Sequence, residues 1–208
     1  MLKAISGRNV PVIGVCGISG SGKSYFSELL ASFGGSHIDA DAVYHRLIAP
    51  VDGCPSTLAL SIARRFGDVL ILGDGTLDRR ALSKIVFSDD AKLSELNGLT
   101  HGAVTDEMLS LIEKTDGHFA VADVPLLFES GFDRYCDITV CVLSDVETVI
   151  GRITERDGIG EDAARSRIQN QRDVSSLADV TVFNDDVGSL EDDCLAVLKK
   201  LGIDTNGR

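Results

Sequence analysis

At 208 residues, 44% hydrophobic and 25% charged, the chain suits one compact domain, or a core with an inserted lobe. Its formal net charge of −12 argues against a general nucleic-acid binder, which would carry a basic face. No apolar run is long enough to span a bilayer, and the opening MLKAISGRN lacks the hydrophobic stretch of a signal peptide, so no membrane association and a cytoplasmic location are expected.

Val12, Ile13, Val15 and Cys16 form a short apolar run, which predicts a buried parallel strand. Directly after it, Gly17, Gly22, Lys23 and Ser24 stand in the spacing G-x-x-x-x-G-K-S, that of a phosphate-binding loop. Glycines let consecutive backbone N–H groups turn inward on a phosphate with no Cβ in the way. Lys23 brings a mobile positive charge for the outer phosphates, and the Ser24 hydroxyl can ligate Mg²⁺. A helix predicted from Ser24 to Phe33 would add its N-terminal dipole at the same place. Strand before and helix after is the context that separates a nucleotide site from an ordinary Gly/Ser-rich turn.

Phe33-Gly34-Gly35 reads as a helix stop. Ser36 to Asp41 then reads as a second strand ending in two acids. Ligands lie beyond the carboxyl ends of strands in open α/β sheets, so Asp39 and Asp41 are expected at the rim, two apart and facing one side. One would accept a substrate hydroxyl proton and the other hold metal or water. The alternative is a helix N-cap plus a surface acid.

From Ala42 to about Gly117 the pattern is helical, with segments Ala42–Ile48, Ser56–Phe66, Arg79–Phe87 and Asp89–Glu113 interrupted by the turn-rich Leu72–Leu77. This predicts a helical lobe inserted between strands, the natural place for an acceptor. Arg64, Arg65, Arg79, Arg80 and Lys84 supply its basic surface, and His101 reads as a structural histidine. Phe119 to Asp123 is a third strand. Asp123 at its end is either the second acidic group that assists Mg²⁺ or a turn residue. Ile138–Leu143 is a fourth strand, followed by a helix capped by Ser144 or Asp145 that carries Arg152 and Arg156 on one face. A second helix from Glu161 to about Arg172 carries Arg165, Arg167, Gln169 and Gln171 beyond a glycine-rich tip. The pair reads as a lid whose arginines neutralise a transferring phosphoryl group, or as a solvated helix pair. Ala178–Phe183 is a fifth strand that delivers Asn184 to the rim, to read an adenine edge or cap a helix. Leu190–Leu201 is an amphipathic closing helix, and Asn206-Gly207-Arg208 a frayed end. The five cysteines show no C-x-x-C pairing; Cys16, Cys141 and Cys194 read as small core residues.

Taken together, these motifs resemble the dephospho-coenzyme A kinase family. The residues that carry the likeness are Ile38-Asp39-Ala40-Asp41, Phe66-Gly67, Asp74-Gly75, Leu77-Asp78-Arg79, Val86-Phe87 and Asp123-Val124-Pro125-Leu126-Leu127-Phe128-Glu129. Arg152, Arg156-Asp157-Gly158, Arg167-Ile168, Gln171, Ala178-Asp179 and Asn184 continue it in family order. The resemblance implies an α/β P-loop kinase fold: a five-stranded parallel sheet, a helical substrate lobe and a lid. The phosphate-loop core would span 1–41 and 119–208, with the lid at about 152–172, and the lobe 42–118. It implies phosphorylation of the ribose 3′-hydroxyl of dephospho-coenzyme A by ATP with Mg²⁺, the last step of coenzyme A synthesis. Carried over, Gly17, Ser19, Gly20, Ser21, Gly22, Lys23, Ser24, Tyr25, Arg152, Arg156 and Asn184 bind ATP. Asp41 is the base or hydroxyl-orienting acid, supported by Asp39, with Lys23 and Arg152 acting on the phosphoryl group. Asp41, Arg79, Leu126 and Phe128 hold the acceptor, and Ser24 and Asp123 the metal. Tyr25 replaces the family's usual small hydroxyl residue, Gly102 its usual proline after the histidine, and Asp185-Asp186 its usual small-residue turn. A monomer or weak homo-oligomer acting on small molecules is expected. The rivals are another small-molecule kinase of this fold and a nucleotide-dependent switch, although the base-reading N-K-x-D of GTPase switches is missing from the sequence.

Overall fold

The computed structural model describes residues 10–169, 171–184 and 189–203. The frayed end expected at Asn206-Gly207-Arg208 and the pair Asp185-Asp186 lie outside them. In chain order, β1 (Val12–Cys16) leads to α1 (Lys23–Ala31) and β2 (Ser36–Asp39). Then come α2 (Ala40–Ile48), α3 (Thr57–Phe66), α4 (Arg79–Val86) and α5 (Asp90–Glu113). The chain continues through β3 (Ala120–Asp123), β4 (Ile138–Leu143), α6 (Val146–Asp157), α7 (Glu161–Gln169), β5 (Val180–Phe183) and α8 (Leu190–Lys200). It divides into two compact units, Met1–Asp39 with Leu111–Arg208, and Ala40–Ser110.

The first unit is an α/β layer built on a five-stranded parallel sheet in the order β2-β3-β1-β4-β5. Every residue of β1 and β3 is buried, which is why both read as apolar runs rather than as alternations. Gly14 is required at the centre of β1: a Cβ there would stand 2.5 Å from Cys136 Sγ and 3.1 Å from Leu127 Cδ1. Phe26 and Leu30 of α1 and Cys194, Val197 and Leu198 of α8 pack on Val15, Val121, Val140 and Val142 to make the core. The Cys194 thiol is pushed up to about 12 by burial, as fits a packing residue. The chain leaves β1 toward β2 at one edge and leaves β3 toward β4 on the other side. The carboxyl ends of β1 and β3 are therefore a topological switch point, where doubly wound sheets open a crevice.

The second unit has its own core, in which Ile48, Ala59, Ile62, Leu70, Leu77, Leu82 and Val86 pack together. Two of its helices start on side-chain caps. Ser56 accepts from the N–H of Ala59 at 3.1 Å and Asp78 from that of Ala81 at 2.9 Å, each worth about 1 kcal/mol. His101 lies within α5. In the first unit Asp145, not Ser144, caps α6, with 3.0 and 3.3 Å bonds from the N–H groups of Glu147 and Thr148.

One expected element differs. The strand read as Ser36–Asp41 stops at Asp39, and Asp41 lies in the first turn of α2. An acid in a first helical turn meets the positive end of the dipole, and Ala40 and Ala42 favour helix over strand. Asp39 and Asp41 are thus not two alternate residues of one strand, and the inference that both face the same side of the sheet is withdrawn.

Candidate active site

The loop from Gly17 to Gly22 turns on positive φ at Gly17 (153°), Gly20 (85°) and Gly22 (86°). Gly22 is the left-handed N-cap of α1, and a Cβ on it would fall on the Asn184 side-chain nitrogen. A turn from Ser21 N–H to the Ile18 carbonyl (3.1 Å) closes the loop. It leaves backbone N–H groups at the start of α1, the geometry that receives an anion.

Other elements hold this loop in shape. The Asn184 amide, buried at the end of β5, donates to the Ser21 carbonyl at 2.9 Å. Gln171 Oε1 accepts from the Ser19 N–H at 2.8 Å. Arg152 Nη1 donates to the Gly20 carbonyl at 3.3 Å, and Arg156 Nη2 to Ser19 Oγ at 3.0 Å. Ile18 packs against the cluster of Val149, Ile150, Ile153 and Ala164 that joins α6 to α7. Arg156 and then Arg167 hold Asp157 below the ordinary carboxylate range. Arg165 is turned to Glu147 with 2.8 and 3.1 Å bonds, the surface-pair alternative for that residue.

The most buried ion pair of a lysine or arginine among the described residues lies at the switch point. Lys23 Nζ donates to Asp123 Oδ1 at 2.6 Å, with side chains 14% and 1% exposed. His37 Nε2 stands 3.8 Å from Asp123 Oδ2, beyond hydrogen-bonding length. Burial pushes the Asp123 carboxyl up, but His37, Lys23 and the Ser24 hydroxyl outweigh it, so it sits below its ordinary value and is ionised at neutral pH. The Asp123 contact raises His37 against the effect of burial, with Asp39 and Glu28 adding to it.

Asp123 Oδ2 is buried with no hydrogen-bond partner in the structure. An ionised oxygen in that state, beside a serine hydroxyl at a phosphate loop, fits a hard cation. Among the described residues no group of three or more His, Cys, Asp or Glu could cage a metal. Of the common cations, Mg²⁺ is the one that takes one or two protein oxygens and completes its shell with water and phosphate.

The first unit therefore brings together Gly17, Ser19, Gly20, Ser21, Gly22, Lys23, Ser24, Asp123, Arg152, Arg156 and Asn184. Asp39 pairs with Asp123 across β2 and β3. Leu126, exposed, and Phe128, half-buried, follow β3 in a turn, and Tyr25 is exposed on α1. Asp41 and Arg79 belong to the other unit, at the first turns of α2 and α4; Arg79 is exposed, and its charge acts against the burial that raises the Tyr44 hydroxyl. Of the two readings for Asn184, the helix cap is overturned, because Ser189 caps α8. Sequence reasoning assigned no role to His37 or Gln171, and missed the anchoring of Ile18. Gln171 stood in the family pattern, which was its one available signal; His37 became visible only when β2 was laid beside β3.

Among the described residues no helix is long and apolar enough to cross a membrane. The family model described as dephospho-CoA kinase matches residues 11–190. The dephospho-CoA kinase of Symbiobacterium thermophilum is 40% identical over 170 residues, 80% of this chain and 70% of that protein. That of Corynebacterium glutamicum is 38% identical over 186 residues, 86% of this chain and 90% of that protein. Among solved structures, TT1252 from Thermus thermophilus superposes with a TM-score of 0.77 at 30% identity, covering 93% of this chain and 99% of that one. With a P-loop kinase fold and that match along most of its length, the chain belongs to the dephospho-CoA kinase family.

Proposed function

We propose that this protein transfers the γ-phosphoryl group of ATP to the ribose 3′-hydroxyl of dephospho-coenzyme A, the final step of coenzyme A synthesis. The observation that carries the reading is the contact of Lys23 with Asp123 under a three-glycine loop, in a chain that matches the family from residue 11 to 190. The N–H groups between Gly17 and Ser24 hold the ATP phosphates. Lys23 exchanges Asp123 for the outer phosphates as ATP enters. Arg152 and Arg156 stand against the loop and spread charge that develops on the transferring group. Asn184 acts on ATP through Ser21, by keeping that carbonyl turned away from the phosphates. Ser24 and Asp123 would hold Mg²⁺, which when bound neutralises charge across the outer phosphates. Asp41 takes the proton of the acceptor hydroxyl, with Asp39 in support. Arg79, Leu126 and Phe128 hold the acceptor, and the helices of 42–118 form its lobe. Residues 152–172 act as a lid. Positioning and electrostatics supply most of the rate.

On the same reading the protein is cytoplasmic, a monomer or weak homo-oligomer, and binds neither membrane nor nucleic acid. The net charge of −12 supports the last point. The test is ADP release with ATP and either dephospho-coenzyme A or nucleoside monophosphates, with mass analysis of the product. Phosphorylation of dephospho-coenzyme A alone is expected. Turnover with a nucleoside monophosphate instead, or slow hydrolysis indifferent to any acceptor, overturns the assignment.

A further inference from the structure

The unit Ala40–Ser110 contains a cavity of about 700 Å³ lined by none of the residues assigned above. Arg46, Val51, Cys54, Thr57, Ser61 and Leu99 stand in its wall, from α2, α3, α5 and the turn between α2 and α3. That turn is rigid. Val51 and Cys54 exchange two backbone bonds of 2.8 and 2.9 Å across Asp52 (φ 51°) and Gly53 (φ 75°). This is the mirror-image hairpin turn that Asp-Gly suits. Gly75 backs it so closely that a Cβ there would stand 2.7 Å from the Gly53 carbonyl oxygen. Inside this wall Val51 is 67% and Leu99 37% exposed, apolar surface left in water within a concavity. Arg46 gives one bond to Glu107, at 2.9 Å, from the five N–H donors of a guanidinium.

We propose that this cavity receives the pantetheine arm of the acceptor, with Arg46 against its phosphate end. The inference rests on the acceptor being dephospho-coenzyme A. An arm of methylenes, methyls and two amides ending in a thiol matches apolar walls interrupted by the Thr57 and Ser61 hydroxyls, and its phosphate matches the one guanidinium in the lining. Placement agrees as well. Asp41 begins α2, and Leu47, six residues on in the same helix, lines the cavity, a rise of about 9 Å. A ribose at Asp41 would extend its arm over that distance.

Cys54 supplies the test, because it is exposed while the other four cysteines are buried. Alkylation of Cys54 by iodoacetamide is followed by mass spectrometry with three probes. These are S-methyl dephospho-coenzyme A, S-methyl 4′-phosphopantetheine and AMP, none of which consumes the reagent. At ten times Kd the first two should slow labelling about tenfold, the free fraction of the site, and AMP should not. Cys54→Trp, which fills the cavity from an exposed position, should raise KM for dephospho-coenzyme A about tenfold and leave KM for ATP unchanged. Protection by AMP and not by the phosphopantetheine probe places the adenine there and overturns the proposal. So do unprotected labelling and an unchanged acceptor KM in an enzyme that turns over dephospho-coenzyme A. An enzyme that does not phosphorylate dephospho-coenzyme A refutes the proposed function; protection by the phosphopantetheine probe then still decides what the cavity holds.

Discussion

Gly22→Ala is the perturbation whose cost can be worked out from the loop itself. Gly22 has φ 86°, where a Cβ costs about 1–2 kcal/mol. The added methyl also falls on the Asn184 side-chain nitrogen, with Asn184 Cγ at 3.1 Å and Arg152 Nη1 at 3.3 Å. Asn184 must swing away, which breaks its 2.9 Å bond to the Ser21 carbonyl and strands a buried amide, for about 1–3 kcal/mol more. The single variant should lose about 2–5 kcal/mol, and ATP should bind more weakly because the loop is no longer held open. Asn184→Ala alone should cost about 1–3 kcal/mol through the unpaired Ser21 carbonyl. In the double variant the collision is gone, so only the backbone cost is added to that of Asn184→Ala. Urea unfolding of the four proteins should therefore show a double variant about 1–3 kcal/mol more stable than the sum of the singles predicts. Costs that add to within about 0.5 kcal/mol would show that the two residues do not meet, and the account of the loop would fail.

Asp41→Asn should lower kcat by about 10²- to 10⁴-fold with ATP affinity within twofold, read by steady-state kinetics and calorimetric titration; near-normal turnover removes Asp41 from the mechanism. Lys23→Ala should weaken ATP binding by about tenfold or more and also slow turnover, because a charged hydrogen-bond donor to the phosphates is lost. Unchanged ATP affinity counts against the loop assignment. His37 carries a pH signature. Its pKa is raised in the folded state, chiefly by Asp123, so its charge stabilises the fold fully below the ordinary value of 6.5 and less as pH rises through the raised value. In metal-free buffer the gap in Tm between wild type and His37→Gln should shrink from pH 6 toward pH 9; a gap that widens with pH refutes the assignment of charge.

The phosphate loop was readable because its chemistry is local. Gly17 to Ser24 are consecutive, their spacing follows from backbone geometry, and a buried strand before and a helix after leave their own periodicities. The buried strands and a helix cap at Ser144 or Asp145 were legible for the same reason, since each depends on residues close by in the chain. The boundary at Asp39 was not, because two acids one residue apart suit a strand end and a first helical turn alike, and pairing with β3 ends the strand. Membership of the family was legible from motifs scattered over the whole chain, each matched in order.

Taken alone, the order of residues determined that a loop with the spacing of a phosphate cradle follows a buried strand, which side chains that loop contains, and that a helical segment interrupts the strands. Only the tertiary structure decided what stands around the cradle. Asn184 on Ser21, Gln171 on Ser19 and His37 beside Asp123 join residues 163, 152 and 86 positions apart. Such pairings depend on the sheet order β2-β3-β1-β4-β5 and its register, which no stretch of sequence encodes locally. They arise because the apolar faces of all five strands must be buried at once, and closing that shared core brings distant side chains within bonding reach.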